Sequence, residues 1–136
     1  MNLDDVKKRF VQEIKLRAYD DRYIDKDEEM EILKIAIADG ITVDSARHAL
    51  RQVCEANDYT VEGLLDEKAG EMLEQFAADG EVDKKEFEDT VAVVTKAAKG
   101  RLSEAKVKKK VKGIMEAQDM KPRDGLFKGG SWYKDI

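Results

Sequence analysis

The chain has 136 residues, of which 40% are charged and 7% are aromatic, with one proline and one cysteine. This length suits a single domain, and the composition favours helices over a sandwich or a barrel. No apolar run approaches the roughly 18 residues of a membrane span, and no basic start precedes an apolar stretch. We therefore expect a cytoplasmic protein without a membrane span, and the lone Cys54 agrees with a reducing compartment.

Apolar periodicity predicts an all-α fold, a single-domain bundle of about six helices over residues 1–118. The predicted buried faces are Leu3, Val6, Phe10, Ile14 and Ala18; Met30, Leu33 and Ile37; Ala46, Ala49, Leu50 and Val53, after a start near Asp44; Val61, Leu65, Met72, Leu73 and Phe76; Phe87, Val91, Val94 and Ala98; and Val107, Val111, Ile114 and Met115, after a Ser103 cap. Gly63 and Gly70 each cost about 1 kcal/mol relative to alanine in the fourth segment, which leaves a break there open.

Two helical runs end in the same way, at Ile37-Ala38-Asp39-Gly40 and at Ala77-Ala78-Asp79-Gly80. A glycine that follows a helix accepts the left-handed conformation, and an echo at 40 residues indicates repeated helix-loop-helix units. Asp83 with Glu86 three residues later forms a capping-box variant that starts the next helix. A third version lies upstream, where Asp21 precedes Ile24-Asp25-Lys26-Asp27-Glu28 with Arg22 in the glycine position.

The segment from Phe76 to Phe87 and the weaker copy from Ile37 to Asp44 resemble the tellurite-resistance TerB-like family of small all-helical bacterial proteins. The resemblance covers roughly residues 3–98. It implies a helical bundle linked to stress response and to divalent metal, with no known catalytic step. In the first copy, Ala46 or Arg47 stands where the motif places its glutamate.

The acidic turns are candidate sites for Ca²⁺ or Mg²⁺, which take several oxygen ligands. Asp79, Asp83 and Glu86 are the expected ligands at the second turn, and Asp21, Asp25 and Glu28 correspond to them upstream. An EF-hand frame on Gly80 places Gln75 and Ala77 at two ligand positions, so any site should be weak. The alternative is that these carboxylates cap helices and face solvent.

The charge is polarised along the sequence. Residues 1 to 93 hold 13 basic and 25 acidic side chains, whereas residues 94 to 136 hold 12 basic and 5 acidic. The basic helix 103–118 carries Lys106, Lys108, Lys109, Lys110 and Lys112, which are candidates for an anionic ligand or surface. No aromatic side chain interleaves them, so nucleic acid is a less favoured partner than protein, and a solvated helix face is the alternative.

The segment 119–136 mixes Pro, Gly and aromatic residues without helical period, and is predicted to be an irregular tail. Phe127, Trp132 and Tyr133 are expected to anchor it, either on the bundle or on a protein partner. Enzyme signatures are missing, because His48 and Cys54 are six residues apart on one helix and point about 240° apart. The sequence thus predicts a non-enzymatic binding or adaptor module, with a degenerate calcium module or an anionic-surface binder as alternatives.

Overall fold

A computed structural model of the chain describes residues 3–123 and 132–136. Helices make up 67% of the described residues, and the six helices found there confirm the predicted all-α fold. The chain divides into two compact units, residues 1–63 and residues 64–136. Each unit buries its own apolar core, which explains the division.

The first unit contains α1 (Leu3–Arg17), β1 (Tyr23–Ile24), α2 (Lys26–Ala38), α3 (Val43–Ala56) and β2 (Thr60–Val61). The two short strands pair in parallel, with Tyr23 opposite Thr60 and Ile24 opposite Val61. Parallel pairing requires a crossover, which α2 and α3 supply. The buried core of this unit includes Phe10, Ile14, Ile24, Ile32, Leu33 and Leu50.

The second unit, which begins at Leu64 inside α4 (Glu62–Phe76), repeats this order with the rest of α4, β3 (Glu81–Val82), α5 (Lys84–Ala97), α6 (Glu104–Ala117) and β4 (Lys121–Pro122). Strands β3 and β4 pair in parallel, as β1 and β2 do. The buried side chains of this unit include Leu65, Leu73, Val82, Phe87, Val94, Val111 and Met115. Lys121 and Pro122 lie within the predicted tail, residues 119–136, and there they pair with β3.

The turns that correspond to each other in the two units are not the pair that the sequence analysis predicts. Gly40 and Gly80 both have a positive φ, of 85° and 83°, as predicted for residues that follow a helix. However, Gly40 directly follows the C-cap of α2, and the equivalent residue after α5 is Lys99, which also has a positive φ, whereas Gly80 follows α4 and matches Arg22 after α1. The upstream version at Asp21 is therefore the true counterpart of the turn at Asp79, and the repeat period is about 60 residues.

Several predicted elements differ in detail. In α2, Leu33 is buried as expected, but Met30 and Ile37 are 47% and 43% exposed. The buried face instead carries Glu29, whose carboxylate accepts a hydrogen bond from Nε of Arg47 at 2.9 Å. Apolar residues occur on nearly all sides of α2, so the period alone did not select the face.

Helix starts and breaks account for the other differences. The N-cap of α3 is Thr42, whose hydroxyl accepts a hydrogen bond from the Ser45 amide at 3.2 Å, rather than Asp44. Val61 belongs to β2, and α4 runs unbroken through Gly63 and Gly70. A Cβ on Gly63 would lie 3.1 Å from Nη2 of Arg51 and 3.3 Å from Oε2 of Glu29. Close packing against this ion pair therefore accounts for a glycine within a helix.

Candidate functional site

Asp79, Asp83 and Glu86, the three acidic residues of the second turn, each accept a hydrogen bond from a backbone amide. Oδ1 of Asp79 accepts a hydrogen bond from the Glu81 amide at 3.0 Å. Asp83 accepts from the Glu86 amide at 2.7 Å, and the Glu86 carboxylate accepts from the Asp83 amide at 3.0 Å. The predicted capping box is thereby confirmed, because both reciprocal bonds are present at the start of α5.

The upstream turn uses the same contacts. Oδ1 of Asp21 accepts from the Tyr23 amide at 3.1 Å, and Asp25 and Glu28 form a second capping box at the start of α2. Burial raises the pKa of Glu28, and the negative charges of Asp25 and Asp21 raise it further. The Glu28 carboxylate is therefore near enough to Asp25 and Asp21 to be repelled by both.

No group of three His, Cys, Asp or Glu side chains in residues 3–123 and 132–136 is arranged to hold a metal ion. At both turns, at least one oxygen of each candidate ligand already accepts a backbone hydrogen bond. Asp25, Glu28, Asp83 and Glu86 form the two helix caps, and Asp21 and Asp79 accept from amides within the turns. Binding of Ca²⁺ or Mg²⁺ by these carboxylates stays a prediction.

The residue that follows the second strand differs in charge between the two units: it is Arg123 after β4 and Glu62 after β2. After β4, Arg123 donates to Glu81 Oε2 at 2.9 Å and to Asp79. The Glu81 amide, and after it the charge of Arg123, hold the pKa of Asp79 below its usual value. After β2, Glu62 occupies the equivalent position and accepts hydrogen bonds from the Tyr23 hydroxyl at 3.2 Å and the Lys26 amide at 3.0 Å. The two units thus secure equivalent turns with different chemistry.

Three of the five candidate lysines on α6 have contacts within the second unit. Nζ of Lys110 lies 3.0 Å from Oδ1 of Asp66, and Nζ of Lys108 lies 3.5 Å from Oε1 of Glu104. Lys112 donates to the main-chain oxygens of Tyr133 and Ile136 at 3.0 and 3.3 Å. Lys106 and Lys109 are the exposed members of the set. Three of these five lysines therefore contact carboxylates or main-chain oxygens of their own unit.

The described end of the tail contacts the second unit. The ring centroid of Trp132 lies 5.1 Å from that of the buried Phe87, and 5.7 Å from that of Tyr133. Nζ of Lys112 sits 4.6 Å from the Tyr133 ring centroid. Burial, and then the neighbouring carboxylate of Glu116, raise the pKa of Tyr133. Two of the three predicted anchors thus pack on their own chain, and Phe127 lies outside the described residues.

The residues with potential for nucleophilic catalysis do not meet. Cys54 is buried in the core of the first unit, and burial followed by the charge of Glu29 raises its pKa to about 12. His48 is exposed on the same helix. The thiol therefore stays protonated at neutral pH, which favours the interpretation of Cys54 as a core residue.

An exposed apolar pair at the end of α1 was missed by the sequence analysis. Leu16 is 74% exposed, and Tyr19, three residues further along, is 84% exposed. They are the most exposed of the large apolar side chains in the described residues. Neither residue lies on the apolar face of α1 that carries Phe10, Ile14 and Ala18. An apolar residue outside that face was the sequence feature that could have indicated the exposed pair.

Comparisons with known proteins provide no relative: no protein-family model, curated protein or solved structure matches the chain. In the described residues, no helix has the length and apolar character needed to cross a membrane.

Proposed function

We propose that this chain is a non-enzymatic helical binding module that acts as an adaptor for a protein partner. The observation that carries the proposal is the exposure of Leu16 and Tyr19 together at the end of α1. Water contact with two large apolar side chains is unfavourable, and tyrosine is among the residues that dominate protein interfaces. This pair replaces the tail as the proposed anchor, because Trp132 and Tyr133 contact their own unit.

The remaining chemistry supports binding over catalysis. The acidic turns cap helices, and the only thiol is buried with a raised pKa. The similarity to TerB-like proteins adds a role in stress response to the proposal. The internal contacts of Lys108, Lys110 and Lys112 give less support to the alternative of a basic surface for anionic ligands.

The proposal is tested by capture from a lysate of the source cells on immobilised full-length chain. Leu16→Lys with Tyr19→Lys should abolish retention of a protein that the wild type retains, whereas Gln12→Lys, at an exposed position one turn earlier, should keep it. Because all three positions are exposed, each substitution should change the free energy of unfolding by less than about 0.5 kcal/mol. Equal retention by both variants, or no retained protein with the wild type, would contradict the proposal.

A further inference from the structure

The helical hydrogen bonds of α1 continue beyond its last residue, Arg17. The Ala18 amide donates to the Ile14 carbonyl at 2.7 Å, and the Arg22 amide donates to the Ala18 carbonyl at 3.0 Å. Side chains 15–20 therefore project at steps of about 100° per residue, as they do within a helix. This spacing decides which of them are neighbours on the exposed surface at the end of α1.

Opposite charges flank the exposed apolar pair, Leu16 and Tyr19. At about 100° per residue, the order around the helix is Lys15, Tyr19, Leu16 and Asp20, with neighbours about 40 to 60° apart. All four side chains are exposed. Within the described residues, neither Lys15 nor Asp20 has an ion pair, so both charges are open to a partner.

This arrangement is complementary to a second copy of itself. A two-fold axis that passes through the apolar pair places each copy's Lys15 beside the Asp20 of the other, so that both charged contacts are attractive. The apolar side chains of the two copies meet between these contacts and leave water together. A surface with charge of one sign would instead repel its own copy.

We propose that two copies of this chain pair about a two-fold axis through Leu16 and Tyr19. In the pair, Lys15 of each copy lies against Asp20 of the other. The proposal uses the surface of the proposed function, but it rests on the exposure and charge of these four side chains and needs no second protein. Self-association of the purified chain and capture of a second protein are separate measurements, so the two proposals fail separately.

The small size of this surface makes the pair weak. Leu16 and Tyr19 are 74% and 84% exposed, and even a fully buried aromatic side chain contributes only about 150 to 250 Å². The pair therefore buries much less than the roughly 800 Å² per partner of a stable interface, and we expect a dissociation constant on the order of 100 µM. At lower concentrations most copies are monomeric, which leaves the surface open to a different protein.

The first test is sedimentation equilibrium of the purified full-length chain from about 10 µM to about 1 mM, a range that brackets the expected dissociation constant. The wild type should change from monomer towards dimer over this range. Leu16→Lys with Tyr19→Lys should stay monomeric throughout, because it replaces the apolar contact with like charges. A wild type that stays monomeric up to about 1 mM would overturn the proposal and leave the surface to a different protein.

Exchange of the two charges tests the proposed contact. Lys15→Asp and Asp20→Lys each place like charges at both contacts, so each variant alone should raise the dissociation constant by at least about fivefold. An equimolar mixture of these two variants has opposite charges at both contacts of the mixed pair. The mixed pair should therefore have a dissociation constant within about threefold of that of the wild type.

Matched variants control for net charge. Lys34→Asp on α2 and Asp89→Lys on α5 make the same charge changes at exposed positions elsewhere, and they should associate as the wild type does, alone or mixed. Association of either Lys15→Asp or Asp20→Lys as strong as that of the wild type would overturn the proposal. A mixture of these two that associates no more strongly than each variant alone would overturn it too.

Discussion

Replacing Asp83 by alanine distinguishes a helix cap from a metal ligand. The substitution removes the 2.7 Å hydrogen bond from the Glu86 amide and leaves that amide without its cap. Loss of an aspartate N-cap costs about 1 kcal/mol, and loss of a negative charge at a helix start adds about 0.3 to 1 kcal/mol. We therefore expect the free energy of unfolding to fall by about 1 to 2 kcal/mol, or the Tm by about 4 to 8 °C.

The assay is thermal unfolding followed by circular dichroism, with chelator and with Ca²⁺. Asp89→Ala, an exposed residue in the interior of α5, has the same charge change and should cost less than about 0.5 kcal/mol. The loss in Asp83→Ala should be present with chelator, because a cap needs no ion.

If the acidic turn is instead a metal site, Ca²⁺ should raise the free energy of unfolding by an amount that depends on its affinity. A site in the weakest known range, about 10⁻⁴ to 10⁻³ M, stabilises by no more than about 1.4 kcal/mol at about 1 mM Ca²⁺, whereas submicromolar binding gives about 4 kcal/mol or more. A wild-type protein that needs Ca²⁺ to fold, together with an Asp83→Ala variant as stable as wild type in chelator, would refute the capping account.

Three further predictions concern single positions. Gly80→Ala should destabilise by about 1 kcal/mol through its left-handed backbone alone, since no atom lies within 4 Å of an added Cβ, whereas Arg22→Gly at the equivalent turn should stabilise by up to about 1 kcal/mol in urea denaturation. The lowered pKa of Asp79 in the folded protein means that its stabilisation is present above about pH 4 and is lost as the pH falls through the folded value; Asp79→Asn should remove this part of the acid dependence of unfolding. Cys54, with a pKa of about 12, should resist iodoacetamide at pH 8 until the chain unfolds, and rapid alkylation of the native protein would contradict its burial.

Local chemistry predicted the helices and their caps well. The capping box at Asp83, the Ser103 cap and the left-handed Gly40 and Gly80 all follow from interactions within a few residues, which a sequence records directly. The periodicity of α5 and α6 placed Phe87 and Val107 in the core correctly, because polar residues border their apolar faces.

Contacts distant in sequence were not predictable in the same way. The repeat register failed because each unit contains more than one left-handed turn, and the Ala-Asp-Gly ends at Gly40 and Gly80 belong to different turns of the repeat. The strand pairs escaped detection because two residues cannot display an alternating pattern. The side chain of Glu29 reads as solvent-exposed until α3 brings Arg47 to it.

The candidate sites depended even more on tertiary placement. The sequence indicated that Trp132 and Tyr133 should be anchored, but could not choose between the chain and a partner. Only the ring contact with Phe87 and the Lys112 hydrogen bonds make that choice for the described residues. Conversely, the exposure of Tyr19 depends on which side of α1 the rest of its unit covers.

The most direct measurement for the binding-module account is site-specific photocrosslinking in the source cells. A photoreactive phenylalanine in place of Tyr19 should yield one discrete adduct with a second protein, because the ring lies at the proposed interface. The same residue in place of the exposed Gln12, one turn before Leu16, should yield much less of that adduct. If Tyr19 gives no adduct, or if both positions give the same diffuse set of products, the chain does not bind a partner through the end of α1.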